Sequence, residues 1–277
     1  MDSLIIDQSE EQQKTRPGNI YDAFVKNIFG RILVFIDFLL YYADPQFVSN
    51  IEISKIDPAP THYIGLTGDE RITDLVFSCP LKNGTAQTRA IIVFEHIGDS
   101  LSELPIKLHS YASAIWKTEH KEGKELSALY FIVLRAGEKS LCGHYATLAD
   151  LLPKDKNGQP IGIVPEIKYD VVDLPEIDLD QLRGSPVLRI GMGVLKKMTE
   201  GLEDEFAQAL LPLLEIADEK QQTTITKEIL DFASKVFAAR NKRLRDEDIE
   251  KSLQPIFKER TKNMITTIFE EKYLEGE

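Results

Sequence analysis

Cysteine is scarce in this chain: two in 277 residues, Cys79 and Cys142, far apart and outside any CxxC pair. That excludes a disulfide scaffold and a cysteine zinc site, and it fits a reducing cytoplasm. Long apolar runs are missing too. The most apolar stretch, Ile32 to Ala43, is interrupted by Asp37 and falls well short of the ~20 residues needed to cross a bilayer. It reads as a buried helix, and no membrane partner is expected. The opening Met1-Asp2-Ser3-Leu4 has no basic stretch, so no secretory signal is expected. A basic excess is also absent. With 33 Lys and Arg against 45 Asp and Glu, the formal charge is −12, which argues against nucleic-acid binding over the whole surface and leaves room only for a local basic groove. P-loop, GxGxxG, HExxH and GxSxG motifs do not occur, so nucleotide hydrolysis, dinucleotide chemistry, zinc proteolysis and α/β-hydrolase activity have no support.

What the chain does have is the composition of a globular protein with a sizeable core, 43% hydrophobic and 28% charged. Residues 1–18 are polar, end in Pro17-Gly18 and read as a flexible leader. Asn19 is placed to cap a single helix from Ile20 to Tyr42, whose apolar residues recur at helical spacing. Strands are expected at Ile51–Ile56, Ile72–Cys79, Arg89–Ile97 and Leu129–Leu134, with a further one at Ile167–Val172. Lys82-Asn83-Gly84 supplies a hairpin turn between the second and third, and Leu101–Glu119 returns to helical period. Antiparallel strands followed by a helical crossover predict an α/β fold, a mixed sheet with flanking helices over residues 19–186. Pro, Gly and Asp cluster at 153–186. From 187 to 277 the pattern is helical, with helices expected near Val187–Met198, Glu203–Ile216, Thr224–Lys242 and Glu247–Lys272. These C-terminal helices are the part through which a homo-oligomer would assemble.

Two acids stand out on neighbouring strands. Asp74 lies in Arg71-Ile72-Thr73-Asp74-Leu75-Val76-Phe77, and Glu95 ends Ile91-Ile92-Val93-Phe94-Glu95. A hairpin centred on Asn83-Gly84 sets Asp74 diagonal to Glu95, and a turn centred one residue later sets them face to face. Either arrangement lets both carboxylates reach one ion. Hard oxygen ligands of this kind suit Mg²⁺ or Mn²⁺, so Asp74 and Glu95 are the candidate metal ligands. Strand alternation puts residue 97 on the face of Glu95 and His96 on the other. Asp22 and Lys26 stand at i,i+4 on the first helix. The basic run Lys235, Arg240, Lys242, Arg243 and Arg245 is followed at once by Asp246, Glu247 and Asp248, and reads as a solvated helix end.

Several segments together resemble the PD-(D/E)XK nuclease family transposases, also called recombination-promoting nucleases. They are Tyr21-Asp22-Ala23-Phe24-Val25-Lys26, Arg71 to Val76, Val93-Phe94-Glu95-His96-Ile97-Gly98-Asp99-Ser100, and Leu104 to Tyr111 with Ile115-Trp116. The strand leading to Gly137 completes the match, which spans about residues 19–140. The resemblance implies a restriction-endonuclease-like core, DNA as partner, and a site-lining place for Asp22. The family's first motif usually begins His-Asp and its third usually reads Glu-His-Gln-Ser. This chain has Tyr21 for the His, Ile97 for the Gln, Lys107 for a helical Arg, and Arg135 for a strand Tyr.

Ile97 leaves the site without the polar group that would stand beside the attacking water, and Lys107 is the candidate to supply an amine from the helix instead. The first reading is therefore a Mg²⁺-dependent DNA endonuclease, weak or inactive because of Ile97, with Asp74, Glu95 and Lys107 as its catalytic residues. On this reading Ile97→Lys is the substitution expected to raise cleavage. The second is a catalytically silent nuclease-like module that binds DNA or a protein partner, or assembles through its C-terminal helices.

Overall fold

The stretch from Ile20 to Tyr42 forms two helices where the sequence predicts one. In the computed structural model, which describes residues 17–64, 69–71, 75–84, 89–98, 101–143, 145–162, 165–201 and 205–240, α1 spans Pro17–Phe29 and α2 spans Ile32–Tyr42. Gly30 ends the first helix, and Arg31 is extended (φ −78°, ψ 112°) before the second. Pro17 starts α1, as a residue with no N–H to satisfy can. The leader thus does not extend to residue 18, and Asn19 lies within the helix rather than capping it.

The described residues form two compact units, one running Phe29–Ile177 and one joining the chain up to Ile28 with the chain from Asp178 onward. In the first unit α2 leads to the short helix α3 (Pro45–Asn50), whose N-cap Asp44 accepts the Gln46 N–H at 2.7 Å. The strand expected at Ile51–Ile56 is absent. Ile51 makes an isolated bridge to Leu81, and Ile53–Lys55 is a 3₁₀ turn. Both flanking isoleucines are buried all the same, so the apolar residues that mimic a strand are buried by a turn. Pairing begins only at β1 (Asp57–Pro58), a two-residue edge strand; proline lacks a donor and is at home on an edge. A small antiparallel pair follows, β2 (His62–Ile64) and β3 (Asp69–Arg71).

The main sheet then assembles from β4 (Leu75–Pro80), β5 (Arg89–Ile97), helix α4 (Leu104–Lys121), β6 (Ala128–Arg135), the single-turn α5 (Leu148–Leu151) and β7 (Asp170–Asp173), in the order β1-β4-β5-β6-β7. β5 is central, antiparallel to β4 and parallel to β6, and β6 is parallel to β7. Its run Ile91-Ile92-Val93-Phe94 is apolar on both faces because both are covered. On one face Phe94 packs with Phe29, Phe35 and Phe38 at ring distances of 5.0 to 5.6 Å, and Phe35 stacks on Phe77 at 3.8 Å. On the other face α4 lays Leu104, Leu108, Tyr111 and Ile115 over Val76, Ile91, Val93, Phe131 and Val133. This mixed sheet with helices on both faces is the α/β, restriction-endonuclease-like core expected from the sequence.

In the second unit α6 (Pro186–Glu200) ends at Gly201, whose left-handed φ of +73° suits a glycine. The helix predicted over Glu203–Ile216 is broken into α7 (Phe206–Ala209) and a 3₁₀ turn Leu211–Glu215. Pro212 removes a helical N–H at that place. α8 (Glu219–Ala239) is capped by Asp218, which accepts the Gln221 N–H at 2.9 Å. The helix expected at Glu247–Lys272 lies outside the described residues. No described helix is long and apolar enough to cross a membrane.

Candidate active site

Leu75 pairs with Phe94 and Val76 with Val93, the register of a turn centred one residue beyond Asn83-Gly84. Asp74 itself lies outside the described residues. Glu95 is the third residue from the end of β5, opposite Val133 of β6, on the face that α4 covers. Its side chain is 1% exposed. Burying a carboxylate costs several kcal/mol unless a partner offsets it. Here the partner is Lys107, whose Nζ sits on Oε1 of Glu95 and lies 5.6 Å from the centroid of the Tyr111 ring. Pro105 at the start of α4 places Lys107 in its first turn. The two residues that the sequence nominates from separate elements are thus side by side.

The pair is asymmetric. Glu95 is sealed in, whereas the Lys107 side chain is 39% exposed. His96 alternates to the opposite face of β5, that of Phe94. Among the described residues no group of three or more His, Cys, Asp or Glu side chains is arranged to hold a metal ion. A hard divalent cation is commonly bound by one or two carboxylates together with water and substrate oxygens, and Glu95 could supply one of them.

One step further along the same face the structure reveals a feature that the sequence does not announce. Ile97 pairs with Arg135, and Arg135 with Asp173, across three parallel strands. Arg135 and Asp173 form a buried ion pair, Nη1 to Oδ1 at 2.5 Å, with both side chains almost fully enclosed. Arg135 also donates from Nη2 to the Lys139 carbonyl (2.7 Å), and the Leu141 N–H donates to Asp173 Oδ2 (3.0 Å). Together these strap the loop after β6 onto the end of the sheet. Burial raises the Tyr145 phenol above its ordinary pKa, the charges of Glu176 and Asp173 add to the rise, and Arg135 opposes it. Asp173 falls one residue beyond the expected strand Ile167–Val172. Only the cross-strand register links it to Arg135 and Ile97.

Tyr21, where the resembling family has histidine, belongs with α6 and α8. Its hydroxyl donates to the Met198 carbonyl (3.1 Å), Arg240 donates to that same carbonyl (2.6 Å), and the Tyr21 ring meets Phe232 edge-on. Part of the apparent basic run is likewise committed within the protein, Arg240 to the end of α6 and Lys235 to Asp231 at 2.6 Å.

Comparison with curated proteins and with solved structures gives no match. A family profile described as "Putative transposase, YhgA-like" matches residues 19–227, well over half of the chain. That span takes in β4, β5, α4 and β6 together with the Glu95–Lys107 pair, and the chain belongs to this family of PD-(D/E)XK-type transposases.

Proposed function

We propose that this protein is a DNA endonuclease of the PD-(D/E)XK type, dependent on Mg²⁺ or Mn²⁺, with cleavage made slow by Ile97. The observation that carries this reading is the fully buried Glu95 on the central strand with the Lys107 ammonium on it, at the carboxyl end of parallel strands where α/β sheets commonly place their ligands. Asp74, which immediately precedes β4 in the sequence, and Glu95 are the proposed cation ligands. A divalent ion held there would polarise the phosphoryl group and acidify its water. Glu95 supplies a carboxylate whose surroundings exclude water, which strengthens every charge interaction there. Lys107 supplies the positive charge that residue 97 cannot.

One observation favours the second reading, a silent module that binds DNA without cutting it. Ile97, half-buried, is packed against the apolar cluster under α4, so the position beside Glu95 offers no polar group to an attacking water. Plasmid nicking in Mg²⁺ or Mn²⁺ separates the two. Wild type is expected to nick slowly, Asp74→Ala and Glu95→Ala to lose nicking, and Lys107→Ala to lose on the order of 10²-fold, the usual scale for removing one charge-stabilising group. Nicking that survives Glu95→Ala overturns the assignment. DNA binding with no nicking by wild type establishes the silent module.

A further inference from the structure

The Glu95–Lys107 contact raises a question that the proposed function does not answer: the carboxylate meant for a divalent ion already holds a cation. Glu95 is 1% exposed and Lys107 39%, so a sealed anion is paired with a side chain that keeps a flank open to solvent. Lys107 lies in the first turn of α4, with the centroid of the Tyr111 ring 5.6 Å from its Nζ. A four-carbon stem with an exposed flank can leave Oε1 of Glu95 without disturbing the helix. An ammonium is a compact point charge, with no fork geometry to lock it in place. The Glu95 side chain, by contrast, has no such freedom on the central strand.

We propose that Lys107 is the resident cation of Glu95 and is exchanged, rather than joined, by a divalent ion. On release the ammonium turns outward, to the side from which a DNA phosphate would approach. Cation arrival and delivery of positive charge to the phosphate are then one event, made by one lysine with two partners. The inference rests on the proposed metal site. It adds that Lys107 opposes metal binding even though it assists cleavage. A lysine that merely lined the site would weaken metal binding by charge repulsion alone, and its own reactivity would not change when the metal arrives.

The full-length protein tests this by Mn²⁺ titration and by acylation of Lys107 followed by mass spectrometry. Lys107→Met keeps an apolar stem and removes the charge, and it should bind Mn²⁺ more tightly than wild type by on the order of tenfold, an ordinary coupling between two competing ligands. Lys107→Arg keeps a cation whose fork can grip the carboxylate, and it should bind Mn²⁺ no more tightly than wild type. Saturating Mn²⁺ should speed acylation of wild-type Lys107 severalfold and leave Glu95→Gln unaffected. Equal Mn²⁺ affinity in wild type and Lys107→Met, with binding abolished by Glu95→Gln, overturns the exchange while leaving the metal site standing. Failure of both wild type and Lys107→Met to bind Mn²⁺ overturns the metal site and the exchange with it. Tighter binding by Lys107→Met with unchanged acylation also overturns the exchange, because the ammonium would then not have moved.

Discussion

Position 97 carries the sharpest consequence at the scale of single residues. From the sequence alone, Ile97→Lys is the obvious repair, since it recreates a Glu-x-Lys pattern. The register argues otherwise. Residue 97 is the direct strand neighbour of Arg135, itself buried against Asp173. A lysine there would set two cations side by side in a half-buried place, where like charges on adjacent strands repel and a partly desolvated charge lacking its own partner is costly. Glutamine adds a polar group without a second charge. Ile97→Gln is therefore expected to raise plasmid nicking, by up to the 10²–10³-fold typical of one well-placed polar group, with a melting temperature close to wild type. Ile97→Lys is expected to melt lower and to gain nothing. Faster nicking by the lysine variant than by the glutamine variant would show that Arg135 does not govern this position.

Among the elements, α6 is held by an absence. A Cβ built on Gly191 would stand 2.6 Å from Cγ2 of Ile28 on α1, closer than carbon atoms approach. Ile28 is fully buried and branched at Cβ, so that methyl cannot swing aside. Gly191→Ala is expected to lower stability by ~1–3 kcal/mol, the cost of overpacking a filled interior, despite alanine's better helix propensity. In chemical denaturation the double variant Gly191→Ala, Ile28→Ala should be less destabilised than the sum of its single variants, because the second substitution removes the clashing group. Simple additivity would mean that the two helices adjust around the new methyl.

Whether an element was legible in the sequence depended on how much of its apolar pattern comes from regular pairing. β5 is legible because its run Ile91-Ile92-Val93-Phe94 is apolar on both faces. Ile51–Ile56 misleads because Ile51 and Ile56 are buried by a 3₁₀ turn, and burial alone does not distinguish a turn from a strand. The β2–β3 pair goes unread because His62–Ile64 and Asp69–Arg71 have no apolar alternation to mark them. At the site, Glu95 and Lys107 could be nominated from strand phase and from family resemblance. Their contact is a matter of how α4 crosses β5, which no local pattern encodes. The Arg135–Asp173 pair is less legible still, since it joins residues 38 positions apart through the register of two parallel strands.

At the scale of the whole molecule, the chain is not divided at a single point in sequence. A reading by composition separates 19–186 from 187–277 and implies that the C-terminal helices stand alone. The compact units instead group the chain up to Ile28 with the chain from Asp178. Within that unit α1 contributes Ile20, Phe24, Val25 and Ile28, all buried. Phe24 stacks on Phe232 at 4.0 Å, and Ile28 fills the space that Gly191 leaves open. Each such side chain stabilises by roughly 1.5–3 kcal/mol when fully buried, and together they rival the ~5–15 kcal/mol by which a whole domain is stable. A fragment of residues 178–277 should therefore show reduced helicity and no cooperative thermal transition by circular dichroism. Adding residues 17–28 through a flexible Gly/Ser linker should restore both. The fragment 29–177, which keeps the sheet and the helices α2 and α4 on its two faces, should melt cooperatively by itself. Cooperative melting of 178–277 alone, at the temperature of the linked fragment, would place α1 outside that unit and restore the simple division of the chain near residue 187.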